Sequence, residues 1–158
     1  MPAASDPGSV VSLPHTFRPF GVRIAVCVFA SVLLGTVLFI WLSFPPQVRD
    51  QFSLFQRATV IFFGLAAAAC GHALARSRVE ARPDSVTVVN GYRTRRFDWN
   101  EILAITLPAG SPWATLDLSD GTSVSAMGIQ GSDGARAVGA VRQVRKLLRQ
   151  QSRTERDD

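Results

Sequence analysis

The sequence predicts an α+β chain: a two-helix transmembrane hairpin followed by a small, bent antiparallel β-domain that one C-terminal α-helix closes. Three observations carry this. Apolar residues concentrate between Ile24 and Ala75, short alternating runs with tight-turn pairs follow Val79, and apolar positions between Ala137 and Leu148 recur at three- and four-residue spacing. A chain of 158 residues has room for one modest domain beside an anchor, and not for two full soluble domains.

The first apolar segment, residues 24–44, reads IAVCVFASVLLGTVLFIWLSF and carries no charge. At about 1.5 Å per residue such a helix crosses a hydrocarbon core of roughly 30 Å. Trp41 suits an interfacial aromatic, and Pro45-Pro46 ends the helix. A cleaved signal peptide is the competing reading. The stretch is too long for a typical signal core, and no small-x-small cleavage site follows it.

The second segment, residues 58–75, reads ATVIFFGLAAAACGHALA and begins after a connection of thirteen residues, which makes a helical hairpin of the pair. Gly64 and Ala68, and likewise Ala67 and Gly71, stand four apart and form a smooth stripe. Such stripes let helices approach closely, against the first span or against another subunit. Arg18 and Arg23 precede the hairpin, Arg76, Arg78 and Arg82 follow it, and the connection holds Arg49 and Arg57. That imbalance places both termini, including the tail of residues 1–23, on the cytoplasmic side of the plasma membrane. His72 sits near the end of the second span; a proton-relay role would need a partner, and neither span holds Asp or Glu.

Residues 79–150 form the β-domain. Residues 85–89 read as a strand, Asn90-Gly91 as a type I′ turn, and residues 92–98 as the returning strand. Residues 101–107 (EILAITL) are a further strand. In WATLDL, residues 113–118, Trp113, Thr115 and Asp117 share one face and Ala114, Leu116 and Leu118 the other. Asp120-Gly121 turns the chain into a strand at 122–127. Ser132-Asp133 then caps a helix whose stripe of Ala137, Val138, Val141, Val144 and Leu148 packs on the sheet. Residues 151–158 are a polar, flexible tail.

The formal net charge is +5, and Lys146 is the only lysine among seventeen basic residues. Positive charge beside a membrane has two ordinary causes: orientation, and attraction to anionic lipid of about 1 kcal/mol per residue near the surface. No helix-turn-helix, RNA-binding or zinc-finger signature accompanies the charge, so no nucleic-acid partner is indicated. Cys27 and Cys70 lie inside apolar segments with no metal-ligand spacing, which points to packing and to no metal or cofactor.

Meander strands followed by one amphipathic helix resemble a pleckstrin-homology (PH) domain. The resemblance narrows to the small membrane-anchored PH-domain proteins of actinobacteria, the low-molecular-weight antigen type. It rests on V-E-A-R-P-D-S-V-T-V-V-N at 79–90, R-R-F-D-W-N-E-I at 95–102, P-W-A-T-L-D-L-S-D-G at 112–121, and the closing helix. Ser85 departs from the glycine common in a P-D-G turn, and the segment is short for seven strands. The resemblance implies one or two spans before the domain.

No P-loop, nucleophile elbow or zinc-protease motif occurs, and both histidines, His15 and His72, lie outside the β-domain, so no catalytic set is expected. The candidate working surface is the hairpin with Arg93, Arg95 and Arg96, together with Arg76 and Arg78. Guanidinium groups bind phosphate in bidentate fashion, which suits anionic lipid. The same arginines would also solubilise an exposed strand and block edge pairing. Two functions are open: a module for a protein partner, as an accessory subunit or a homo-oligomer, and a sensor of anionic lipid.

Overall fold

The structure, a computed structural model, describes residues 13–157, with side chains described as far as Gln151. The first twelve residues of the tail expected at 1–23, and Asp158, lie outside the described residues. Seven strands, four α-helices and two 3-10 turns follow in order. Strand β1 (His15–Phe17) comes first, then α1 (Phe20–Ser43), a four-residue α2 (Pro46–Arg49) and α3 (Leu54–Arg76). Strands β2 (Arg78–Ala81), β3 (Ser85–Asn90), β4 (Arg93–Asp98), β5 (Ile102–Thr106), β6 (Trp113–Leu118) and β7 (Ser123–Gln130) lead to α4 (Ala135–Asp157).

Helices α1 and α3 are each long and apolar enough to cross a membrane, and neither buries a residue within the chain. Twenty-four residues of α1 make about 36 Å of helix, somewhat more than a hydrocarbon core of roughly 30 Å. Both helices begin four residues before the segments read from the sequence. The α3 start is set by a capping box, in which Ser53 Oγ accepts from the Gln56 amide and Gln56 Oε1 from the Ser53 amide. Pro45, extended at φ −62°, and Pro46 at the first turn of α2 end α1 as expected. In the connection Phe52 stacks on Phe44 and meets Trp41 edge-on, and Arg57 lies over the Trp41 ring.

The β-domain is two antiparallel sheets, β1-β2-β3-β4 and β5-β6-β7. Strand β1 is an addition to the sequence reading, which placed the domain's start at 79. It pairs with β2 in the register Thr16↔Glu80 and sends Phe17 into the core opposite Val79. Three residues with one buried side chain are too short to show a period. The seventh strand that residues 79–150 were too short to supply therefore comes from ahead of the hairpin.

Burial alternates along β2 and β6, whereas β3 buries Val89 as well as Val86 and Val88, β4 is exposed on both faces, and β5 loses the alternation at an irregularity after Ile102. Ala114, Leu116 and Leu118 are buried on β6, and Val86 and Val88 on β3. With Ile105, Val79, Val144 and Leu147 they form the core, where each large aliphatic side chain contributes about 1.5–3 kcal/mol. The α4 stripe differs by one position. Leu147 is buried beside Ala137, Val141 and Val144, whereas Val138 is 44% exposed. Helix α4 also continues past the expected end at 150.

Strand β7 joins the two sheets. It bulges between its pairings with Trp113 and Ala114, which bends it so that it meets β2 and β3 as well as β6. At the crossing, a Cβ on Gly128 would stand 2.5 Å from the Arg78 backbone, so only glycine fits. The first hairpin turn is Gly91-Tyr92 rather than Asn90-Gly91. Asn90 stays in β3 opposite Arg93, and only Gly91 has positive φ, +59°, the pattern of a type II′ turn. The Asn90 amide is engaged elsewhere: its Nδ2 donates to the Ser125 carbonyl, and its Oδ1 accepts from the Met127 amide at 3.0 Å.

Asn90→Ala removes both bonds and leaves two backbone groups of β7 without a partner. We expect about 2 kcal/mol of destabilisation, read as a lower melting temperature in detergent; Asn90→Asp keeps the acceptor for Met127 but sets a carboxylate oxygen against the Ser125 carbonyl, and should lose at least as much.

Candidate functional site: the junction of hairpin and β-domain

Both ends of the apolar hairpin run straight into neighbouring strands. Arg18 and Pro19 alone separate β1 from α1, and Ser77 alone separates α3 from β2. Because β1 and β2 are paired, the two helix ends must lie side by side at one face of the β-domain.

Three contacts fix that face. The Asp133 carboxylate, from the 3-10 turn before α4, accepts from the Phe20 amide at 3.0 Å and the Gly21 amide at 2.8 Å. It therefore caps α1, not the helix it precedes. Pro19, at the N-cap position of α1, has no side-chain acceptor, and an anion there also meets the positive end of the helix dipole. Arg136 lies 4.4 Å over the Phe20 ring beside it. At the other helix, the Gly91-Tyr92 turn rests on the end of α3. Tyr92 Oη donates to the Ala69 carbonyl at 3.0 Å and stands 3.2 Å from His72 Nδ1, and the Gly91 amide donates to buried Ser77 Oγ at 3.0 Å. His72 thus meets a tyrosine hydroxyl from the β-domain.

Between these contacts lies a cavity of about 280 Å³, lined by Arg18, Arg23, His72, Ala75, Arg76 and Arg78. Among the described residues no carboxylate lines it. Arg78 Nε is bonded to Glu80 at 2.6 Å, and Arg76 lies 5.8 Å over the Tyr92 ring. Among the described residues Arg18, Arg23 and Arg76 pair with no carboxylate. Hydrogen bonds from Arg78 and then Arg82 hold the Glu80 carboxyl below its ordinary pKa, despite partial desolvation. Glu80 thus stabilises the fold at neutral pH, and its contribution is lost on acidification through that lowered value. A second cavity, about 390 Å³, lies between β1, the end of β7 and α4. Its one carboxylate, Asp133, is taken by the α1 cap.

The sequence-selected residues separate. Arg76 and Arg78 line the junction cavity. Arg93, Arg95 and Arg96 lie on β4, the free end strand of its sheet, and all three are exposed. Arg96 bonds Asp84 at 2.6 Å, while Arg93 and Arg95 have no ion-pair partner among the described residues. The small-residue stripe also divides. A Cβ at Gly71 would stand 3.0 Å from Val26 of α1, whereas Gly64 has nothing within 4 Å. Cys27 and Cys70 are free and exposed on the helices. Arg18 and Arg23 counted only as orienting charges in the sequence, and nothing there joined them to Arg76 and Arg78, more than fifty positions away.

Two bent antiparallel sheets with a C-terminal helix define a PH-like fold. The chain belongs to the Bacterial PH domain family, whose profile matches residues 76–147. An uncharacterized protein of Mycobacterium bovis and uncharacterized proteins of two Mycobacterium tuberculosis strains are each 30% identical to it over 94% of both chains. The profile begins at the end of α3, so β1 and most of the hairpin lie outside it, while the mycobacterial similarity extends across them.

Asp133→Ala should uncap α1 at about 1 kcal/mol, so that the Phe20 and Gly21 amides exchange hydrogen roughly fivefold faster. Asp133→Asn, which keeps an acceptor and loses the charge, should give a smaller change.

Proposed function

We propose that this chain is a non-enzymatic PH-like module anchored in the plasma membrane by its helical hairpin, with both termini and the β-domain on the cytoplasmic side. It acts there as a protein-interaction or accessory subunit of a membrane complex, or as a homo-oligomer. One observation carries the reading. The β-domain is built from strands on both sides of a hairpin whose large apolar side chains face outward, with Phe39 72% and Leu42 71% exposed. Helices this apolar and this exposed call for a hydrocarbon surround, and a domain closed across them is carried as one piece with the anchor. The open side of Gly64 and the exposed β4 end strand are the surfaces such a unit offers to a partner.

Anionic lipid is the second reading. The exposed Arg93 and Arg95 support it on β4, and the carboxylate-free cavity supports it more strongly at the junction.

Topology is tested with Ser53→Cys in a chain whose Cys27 and Cys70 are replaced by Ala. In right-side-out vesicles the single thiol should react with an impermeant maleimide, and protection there with labelling in inverted vesicles would reverse the orientation. The accessory role is tested by native electrophoresis of mild-detergent extracts. Chain from its native membrane should migrate in a larger complex of defined size, and migration only as a 17.1 kDa monomer would contradict the role.

A further inference from the structure

We infer that the junction cavity is a binding site for a phosphate-bearing anion, filled by the headgroup phosphate of a phospholipid. The inference rests on the membrane-anchored reading above and assigns a ligand class to a particular set of residues.

Four arginines line one cavity from four separate pieces of the chain. Arg18 comes from the β1–α1 link, Arg23 from the first turns of α1, Arg76 from the last turn of α3, and Arg78 from the start of β2. Their approach is not incidental to the fold. The β1–β2 pairing and the Asp133 cap hold the two helix ends together, so the arginines are crowded however much they repel one another. Like charges brought together without carboxylates to separate them favour an anion among them. Within this group only Arg78 is partly neutralised, through Glu80, which Arg82 also engages. The three surface ion pairs leave Arg18, Arg23 and Arg76 with their donor sets available for oxygen acceptors. A planar guanidinium offers two parallel donors, the arrangement that matches a phosphate.

Size and depth select the source. A cavity of about 280 Å³ is near the small end of ligand pockets, roughly 300–1,000 Å³, and suits a headgroup rather than a large metabolite. It lies at the ends of α1 and α3, the level at which lipid phosphates stand beside a hairpin that spans the bilayer. An acidic peptide would have to enter between the β-domain and the membrane, whereas a lipid phosphate is already there. Arg93 and Arg95 do not line this cavity, so the site is separate from the β4 surface.

The test uses the full chain, purified in mild detergent and read by native mass spectrometry for retained phosphatidylglycerol. The parent should keep about one lipid per chain. Arg18→Gln/Arg76→Gln should retain at least tenfold less, whereas Arg93→Gln/Arg95→Gln removes the same charge from the β4 surface, and a loss there as large as that of the junction variant would overturn the junction site. Arg18→Lys/Arg76→Lys keeps the charge without the paired donors and should fall between the parent and Arg18→Gln/Arg76→Gln, which excludes simple misfolding as the cause. Inorganic phosphate is added as a separate arm. If it fills the site and displaces the lipid at millimolar level, the phosphate site stands with a soluble source; no displacement assigns it to lipid. Equal retention by all variants, or occupancy by an acidic peptide with no uptake of either phosphate source, overturns the inference. Failure of the anchor reading is seen separately: chain released from membranes by alkaline carbonate would overturn the anchor, whereas chain that stays in the membrane yet binds no phosphate overturns only the site.

Discussion

The pairing of β1 with β2 is the constraint on which the rest of this structure depends. In sequence the two strands are separated by the whole apolar hairpin, yet they are neighbours in one sheet. Closing so long a connection costs conformational entropy that grows only slowly with its length, and the helices reduce it by fixing most of the intervening residues. Phe17 returns part of that cost by entering the core against Val79. The hairpin is therefore an insertion into the β-domain rather than a tether in front of it.

Several features follow from that insertion. Links of one and two residues allow no slack, so α1 must start where β1 ends, without a side-chain cap of its own. Asp133 supplies the missing acceptor from the far end of the domain and so ties α4 to α1. The Gly91-Tyr92 turn reaches the end of α3 on the other side, and Ser77 links the two by accepting from Gly91 while donating to the Ala73 carbonyl. The basic cavity lies between these attachments. Its charge density results from the same geometry: residues that orient a span on each side of a hairpin become neighbours once the strands beyond them pair.

The α+β class, the two apolar helices, the β3 strand and the core face of β6 were legible in the sequence, because each rests on a period or an uninterrupted apolar run. What was not legible depended on residues distant in the chain. His15–Phe17 is too short to carry a pattern, and its partner lies beyond the hairpin. Asp133 reads locally as the cap of the helix it precedes, and only the tertiary approach of α1 shows that its carboxylate is used elsewhere. Asn90 reads as a turn residue until β7 is seen to take both ends of its amide. The Arg76–Arg78 part of the candidate site was selected for its charge, but its companions Arg18 and Arg23 could be joined to it only by the β1–β2 register. Val138 and Leu147 lie on opposite flanks of the α4 stripe, about 180° apart on the helix, and only the packing shows that the Leu147 flank is the one turned to the sheet.

The central claim, that a strand ahead of the hairpin completes the β-domain, is tested most directly by oxidative cross-linking of Thr16→Cys with Glu80→Cys. The background lacks Cys27 and Cys70, and a protease site in the helix connection lets the two halves be separated. Thr16 and Glu80 are directly paired across the strands, within reach of a disulfide. The account predicts that the halves stay joined after cleavage until reductant is added, whereas a control pair at Thr16 and Arg96, in the end strand two positions further across the sheet, separates at once. Halves that fall apart equally in both would contradict it.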